Sequence, residues 1–168
     1  MTPLPGVLGS GEIVGWRLDH QRFAPGWDSG EGAFRVGGRW NSKGVRAVYA
    51  SLDPATAILE VAVHKGFATL DTVPHVLTMF ELTDLSGVHI VERKSLPNSN
   101  WLRPGVPSIG QQQFGDQLLA EHAFVLIPSV VSTHSWNVIF NPLKAAGLYK
   151  LRGQEPFALD TRLHAPAS

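Results

Sequence analysis

The sequence predicts an α+β fold. Three observations lead there: segments of strand character outnumber helical ones, the two kinds do not alternate in a regular order, and no internal repeat or linker divides the 168 residues. A chain of this length hides roughly 70% of its unfolded surface in one core. A single domain over 1–168 is expected, with its core over about 14–163 and a loose tail at each end.

The elements follow in order. Residues 1–11 are rich in Pro and Gly and read as a loose segment. Ile13 to Leu18 is predicted as a first strand, and the Gly-rich stretch from Arg22 to Gly38, broken by Pro25, as a long loop. Ala47 to Ser51 is a short β-rich run. Asp53-Pro54 then supplies a side-chain N-cap and a proline at the first helical position, so a helix is expected to about Lys65, stopped by Gly66. His75 to Leu82 and Val88 to Val91 are strand candidates. Residues 94–110, with three prolines and two glycines, read as a second long loop, and Ile109 to His122 as a helix despite Gly115. Ala123 to Ile127 is a strand stopped by Pro128, Trp136 to Phe140 another stopped by Pro142, and Phe157 to Asp160 a last one, with a frayed tail from His164.

Composition narrows the function. Fourteen basic residues balance fourteen acidic ones without a long charge run, so the electrostatic footprint of a nucleic-acid binder is absent. Charged residues are only 17%, against a usual share of about 25%. That leaves a surface of Ser, Thr, Gln, Asn and His, or one covered in part by a partner. With no cysteine, disulfides, thiolate catalysis and Cys-based zinc sites are excluded. Met1 to Gly6 does not read as a signal peptide, and no apolar run approaches a membrane helix, so a cytoplasmic protein is the expectation.

The candidate site lies in two stretches: Gly37-Gly38-Arg39-Trp40-Asn41, and Val48-Tyr49-Ala50-Ser51 leading to Ile58-Leu59-Glu60-Val61-Ala62-Val63-His64. Glu60 stands among apolar neighbours on a helix expected to be buried nearly all round, and a glutamate there needs either a salt-bridge partner or a chemical task. His64 lies one turn on, but HExxH is missing and no Asp/His cluster is near, so no metal is expected. Arg17 and Arg39 offer the planar fork that suits phosphate oxygens, with a surface salt bridge as the plain alternative. Gly37-Gly38 allows close approach of backbone to a ligand and equally a simple turn. Tyr49 suits either the core or a stacking platform for a flat ring. Ser129, after Ile127-Pro128, sits where turn or cap serines are common, with Ser132 and Ser135 close by. The absence of GxSxG argues against an α/β-hydrolase nucleophile.

With those residues in place, the chain resembles the RES domain family, from about Val14 to Leu163. Gly38-Arg39-Trp40-Asn41, Tyr49-Ala50-Ser51, Leu59-Glu60-Val61 with His64, and Ile127-Pro128-Ser129 followed by Asn141-Pro142 carry the likeness. The resemblance implies a fold like that of the ADP-ribosyltransferase toxins related to diphtheria toxin. It implies a bacterial type II toxin whose partner is an Xre-like helix-turn-helix antitoxin. The expected activity is NAD⁺ depletion by cleavage, with water or phosphate as acceptor, or ADP-ribosylation of a protein. NAD⁺ is then substrate, and no cofactor is implied. Carried over residue by residue, Glu60 and Ser129 are the expected catalytic residues, and Arg17, Arg39 and Tyr49 the NAD⁺-binding ones.

The chemistry agrees with that assignment. Nicotinamide leaves an anomeric carbon through a transition state of oxocarbenium character. A fixed carboxylate stabilises that charge, and a cationic leaving group needs no general acid. A non-enzymatic nucleotide-binding module is the competing class, since fold does not fix function; such a module has no use for a carboxylate facing a pyrophosphate.

Overall fold

The structure is a computed structural model that describes residues 12–164. The loose segment expected over 1–11 and the last residues of the tail lie outside the described residues. A seven-stranded sheet in the order β4-β5-β6-β2-β1-β3-β7 forms the centre of the molecule. Its strands are β1 (Ile13–His20), β2 (Val48–Ser51), β3 (His75–Leu82), β4 (Val88–Ile90), β5 (Phe124–Pro128), β6 (Trp136–Phe140) and β7 (Tyr149–Phe157). Only β4 and β5 run parallel; the other pairs are antiparallel.

The pairing is uneven, and this positions the site. β1 meets β3 along its whole length, yet it meets β2 at the single pair Trp16↔Ser51. The sheet is therefore two blocks, β4-β5-β6-β2 and β1-β3-β7, that part beyond that pair. Among the described residues four α-helices accompany it: α1 (Glu31–Val36), α2 (Pro54–Lys65), α3 (Phe67–Thr72) and α4 (Ile109–Glu121). One sheet face buries Phe80, Phe124, Phe140, Val138 and Val48, with Trp27 packed against them. The other face carries two clusters. One joins Trp40, Leu119, Val125, Ile127 and Ile139 beneath α4; the second joins Leu18, Ala62, Leu70 and Leu77 beneath α2 and α3.

Helix α2 begins as its sequence dictates. The Asp53 carboxylate accepts from the Thr56 amide at 2.8 Å and from its hydroxyl at 2.7 Å, with Pro54 at the first helical position. Gly66 ends it at φ +82°, a conformation that L side chains disfavour. Helix α4 starts on Ser108, whose hydroxyl accepts from the Gln111 amide at 3.1 Å.

Three expectations need correction, and one helix was not foreseen. The stretch over 22–38 is not plain loop, because α1 lies within it. Glycines bracket that helix and hide it from a propensity reading, while Glu31 braces it by accepting from Arg35 at 2.9 Å and Arg46 at 2.7 Å. The residues after Gly66 form α3. The last strand is Tyr149–Phe157, not Phe157 to Asp160. β7 is an edge strand with Gly153 and Pro156 in it, and an edge position tolerates a proline that lacks an N–H. Finally, α2 is not buried all round: Leu59 and Val63 are exposed at 39% and 62%, because the sheet covers only one side of it.

Candidate active site

Helix α2 follows β2 after a two-residue turn and packs on β1, so it lies across the seam where the two blocks part. This brings half-buried Glu60 over the face of β2 and β6. Its Oε1 accepts two hydrogen bonds, from the Ser129 hydroxyl at 2.7 Å and from Asn137 Nδ2 at 2.7 Å. Each donor is itself held. The Ser132 amide donates to Ser129 Oγ at 3.1 Å, and the Ser51 hydroxyl donates to Asn137 Oδ1 at 2.7 Å. Ser129 and Ser51 are buried, and Ser51 is the cross-strand partner of Asn137. Among the described residues, no hydrogen bond or ion pair engages Oε2.

Of the three candidate serines, Ser129 is the one in contact with Glu60. Ser132 and Ser135 bond each other through their hydroxyls at 2.8 Å and close the turn that presents Ser129. The Ser135 amide donates to Ser132 O at 2.8 Å, and the Ser129 amide to Ser135 O at 2.9 Å.

Tyr49 shares a face with Ser51, two residues along β2. Its hydroxyl donates to Asn41 Oδ1 at 2.6 Å and accepts from the Trp40 amide at 2.9 Å. Burial pushes the phenol well above its ordinary pKa. Asn41 is fully buried, and its Nδ2 donates to the carbonyls of Ala33, Ser42 and Val45. Gly38 is required here: a Cβ would stand 2.7 Å from both the Tyr49 hydroxyl and Asn41 Oδ1. The Gly-Gly pair thus serves close packing on Tyr49, which fixes the turn that carries Arg39.

Arg39 reaches outward from that turn to three backbone carbonyls, at 3.4 Å to Trp101, 3.3 Å to Arg103 and 3.1 Å to Gly105. Among the described residues no carboxylate pairs with it. Arg17 differs. Its Nε and Nη2 fork onto Asp19 at 2.7 and 3.2 Å, and its Nη1 donates to the Tyr49 carbonyl at 2.7 Å, which β1 leaves unpaired. By strand alternation Arg17 starts from the face opposite Trp16, and it does not touch Glu60 or Ser129. A phosphate that takes Arg17 competes with Asp19.

The structure therefore brings Glu60 and Ser129 into contact, sets Tyr49 on the same face, and places the two arginines on either side of Tyr49. His64 is exposed, and among the described residues no group of three His, Asp or Glu is placed to hold a metal ion. No helix among them is long and apolar enough to cross a membrane. Sequence reasoning missed Asn137 and, though it named Ser51 within a candidate stretch, gave it no role. Each is a single polar residue in an apolar strand, and that was the available signal, since a buried polar side chain needs a partner.

Comparison with known proteins bears on the family and the fold. A family model described as RES domain matches residues 14–160. A protein named Toxin Res from Photorhabdus laumondii is 33% identical over 137 residues, covering 78% of this chain and 83% of that protein. A protein named Prs ADP-ribosylating toxin from a Sphingobium species is 34% identical over 134 residues, covering 76% and 81%. Among solved structures, a chain of the Mycobacterium tuberculosis MbcT–MbcA toxin–antitoxin complex superposes with a TM-score of 0.68 at 20% identity, covering 88% of this chain and 85% of that one. The fold is thus the α+β fold that the sequence predicted, and that chain of the toxin–antitoxin complex shares it.

Proposed function

This chain belongs to the RES domain family, and we propose that it is the toxin of a toxin–antitoxin module that removes NAD⁺ by breaking the nicotinamide–ribose bond. The observation that carries the reading is the Glu60 carboxylate, held through one oxygen by Ser129 and Asn137 and, among the described residues, without a partner at the other. A carboxylate fixed in advance stabilises an oxocarbenium without reorganising when the charge appears. In the reaction, the C–N bond breaks and its electron pair leaves with nicotinamide. An acceptor oxygen then bonds the anomeric carbon, and its proton passes to solvent.

Glu60 faces the developing charge, and Ser129 fixes the carboxylate. Arg39 binds the pyrophosphate, its guanidinium being paired so far only with neutral carbonyls. Arg17 joins it once Asp19 yields. Tyr49 stacks on the nicotinamide and holds the Arg39 turn. The low share of charged residues suits a lasting partner, an Xre-like helix-turn-helix antitoxin, with the toxin acting in the bacterial cytoplasm.

The acceptor in this proposal is water or phosphate. The segments 22–38 and 94–110 carry few charges with which to dock a protein target, and a small acceptor needs only a few placed polar groups. The name of the Sphingobium relative favours a second reading, transfer of ADP-ribose to a protein. Incubating the purified chain with NAD⁺, with and without phosphate, and identifying the products tests the first reading. Labelled NAD⁺ in lysate tests the second: label on one protein band, with little free ADP-ribose or its phosphate, selects the transferase.

A further inference from the structure

Glu60 has two oxygens, and both of its hydrogen bonds fall on Oε1. The two donors come from different strands, β5's end and β6, and each is locked by a bond from behind. Ser132's amide can only donate, so Ser129 Oγ accepts it and must point its own proton at Glu60. The Ser51 hydroxyl donates to Asn137 Oδ1, and the acceptor-only Glu60 carboxylate turns Nδ2 toward itself, so the amide is held from both sides. Without the Ser51 bond the amide still presents Nδ2 to the carboxylate but loses the contact that fixes its position. Ser51 has no other described side-chain partner and is 2% exposed, so the bond to Asn137 accounts for a hydroxyl buried in the sheet.

From this geometry we propose that Asn137, braced by Ser51, is a positioning residue for the reaction. It anchors Oε1 so that Oε2 alone faces the anomeric carbon, and it keeps the carboxylate from turning. The proposal rests on the NAD⁺-cleaving reading of the Glu60 site. Neither residue touches substrate in this account; both act through Glu60. The Ser51-Asn137-Glu60-Ser129 chain ties the reacting oxygen to the register of β2 and β6 rather than to the torsional freedom of a half-buried glutamate side chain. Pairing of Ser51 with Asn137 across the strands makes this register-dependent.

The test compares Asn137→Leu, Asn137→Asp and Ser51→Ala with the wild type and with Glu60→Gln, after circular dichroism shows each is folded. Nicotinamide release is followed against NAD⁺ concentration. Asn137→Leu is expected to lower kcat by roughly 10–100-fold, the usual effect of losing a group that orients a reacting one, with KM changed less. Ser51→Ala is expected to lower kcat by a smaller factor. Asn137→Asp carries the distinguishing readout. A protonated Asp donates to Oε1 as the amide does, whereas two ionised carboxylates repel. Its rate relative to wild type is therefore expected to be highest near about pH 5 and to fall toward about pH 8 as the shared proton is lost. A merely structural asparagine does not produce that slope.

Wild-type kcat in folded Asn137→Leu, or an Asn137→Asp rate that tracks wild type at every pH, overturns the proposal. If Asn137→Leu does not fold, the pH profile and Ser51→Ala decide. Growth arrest on induced expression separates the two layers of the argument. A wild type that arrests growth but leaves NAD⁺ intact sinks the NAD⁺ reading, and positioning is then judged by whether the Asn137 variants relieve the arrest. A wild type inert in both assays overturns both.

Discussion

Gly115 sits in the middle of α4, where a glycine ordinarily costs a helix about 1 kcal/mol relative to alanine. Replacing it should therefore stabilise the protein, unless space forbids. Space forbids: a Cβ on Gly115 would stand 1.9 Å from the Trp40 carbonyl oxygen and 2.5 Å from its carbon. An ordinary contact begins near 3.4 Å, so α4 must retreat by 3.4 − 1.9, about 1.5 Å, or the Trp40 turn must move. The obstacle is backbone on both sides and has no rotamer escape. Overpacking of this kind costs about 1–3 kcal/mol. Taking about 3 and crediting the helix with about 1 leaves a net loss of about 2 kcal/mol for Gly115→Ala. For a chain of this size that corresponds to a fall in Tm of about 4–8 °C. Gly110, in the first turn of the same helix, is the control. Its Cβ would meet nothing nearer than 3.9 Å, so Gly110→Ala should leave Tm unchanged or raise it. Thermal unfolding of the two variants checks the contrast. A Gly115→Ala protein as stable as Gly110→Ala would refute the claim that α4 packs directly on the turn carrying Arg39.

Three other outcomes are expected. Tyr49→Phe leaves the Trp40 amide and Asn41 Oδ1 without their partner, which should cost about 1–3 kcal/mol in denaturant unfolding; no loss would remove the phenol from its role in the turn. Arg39→Lys should weaken NAD⁺ binding by about tenfold or more, since a point charge cannot reproduce the fork, and unchanged affinity by calorimetry would leave Arg39 a loop clasp only. His89 stacks on His122 with ring centroids 4.2 Å apart, and desolvation, then the His122 charge, lower its pKa. The folded chain then holds fewer protons there than the unfolded chain, so this stability is present above the ordinary histidine range and is lost as pH falls. Tm should drop between about pH 7.5 and about pH 5.5, with a shallower drop in His89→Gln; equal slopes would count against the pair.

Where sequence signals and physical constraints coincided, the fold was legible. β3 and β6 run over the residues predicted for them, and α2 lies between the Asp53-Pro54 cap and Gly66, because alternation, capping and glycine stops are local effects. β7 was missed because an exposed edge strand needs no apolar alternation, and α1 because its bracing comes from Arg46, fifteen residues away. At the site, Glu60 was conspicuous as a lone charge among apolar residues. Its partners were harder to read. That Asn137 and Ser51 pair with each other shows only in the β2–β6 register, and the packing need for Gly38 only in the Tyr49 hydroxyl set against it. That Arg17 pairs with Asp19 follows from a two-residue spacing along β1, which places both side chains on one face.

The central claim is that the anchored Glu60 carboxylate meets positive charge at the anomeric carbon of NAD⁺. Nicotinamide release by wild type and by Glu60→Gln, at equal concentration and with both shown folded by circular dichroism, tests it most directly. The substitution keeps the side chain's shape and removes its charge. The account predicts steady release by wild type and a rate lower by about 10²–10³ in the variant, the usual cost of deleting one preorganised electrostatic contact. Comparable release by the folded variant, or none by wild type, would contradict it.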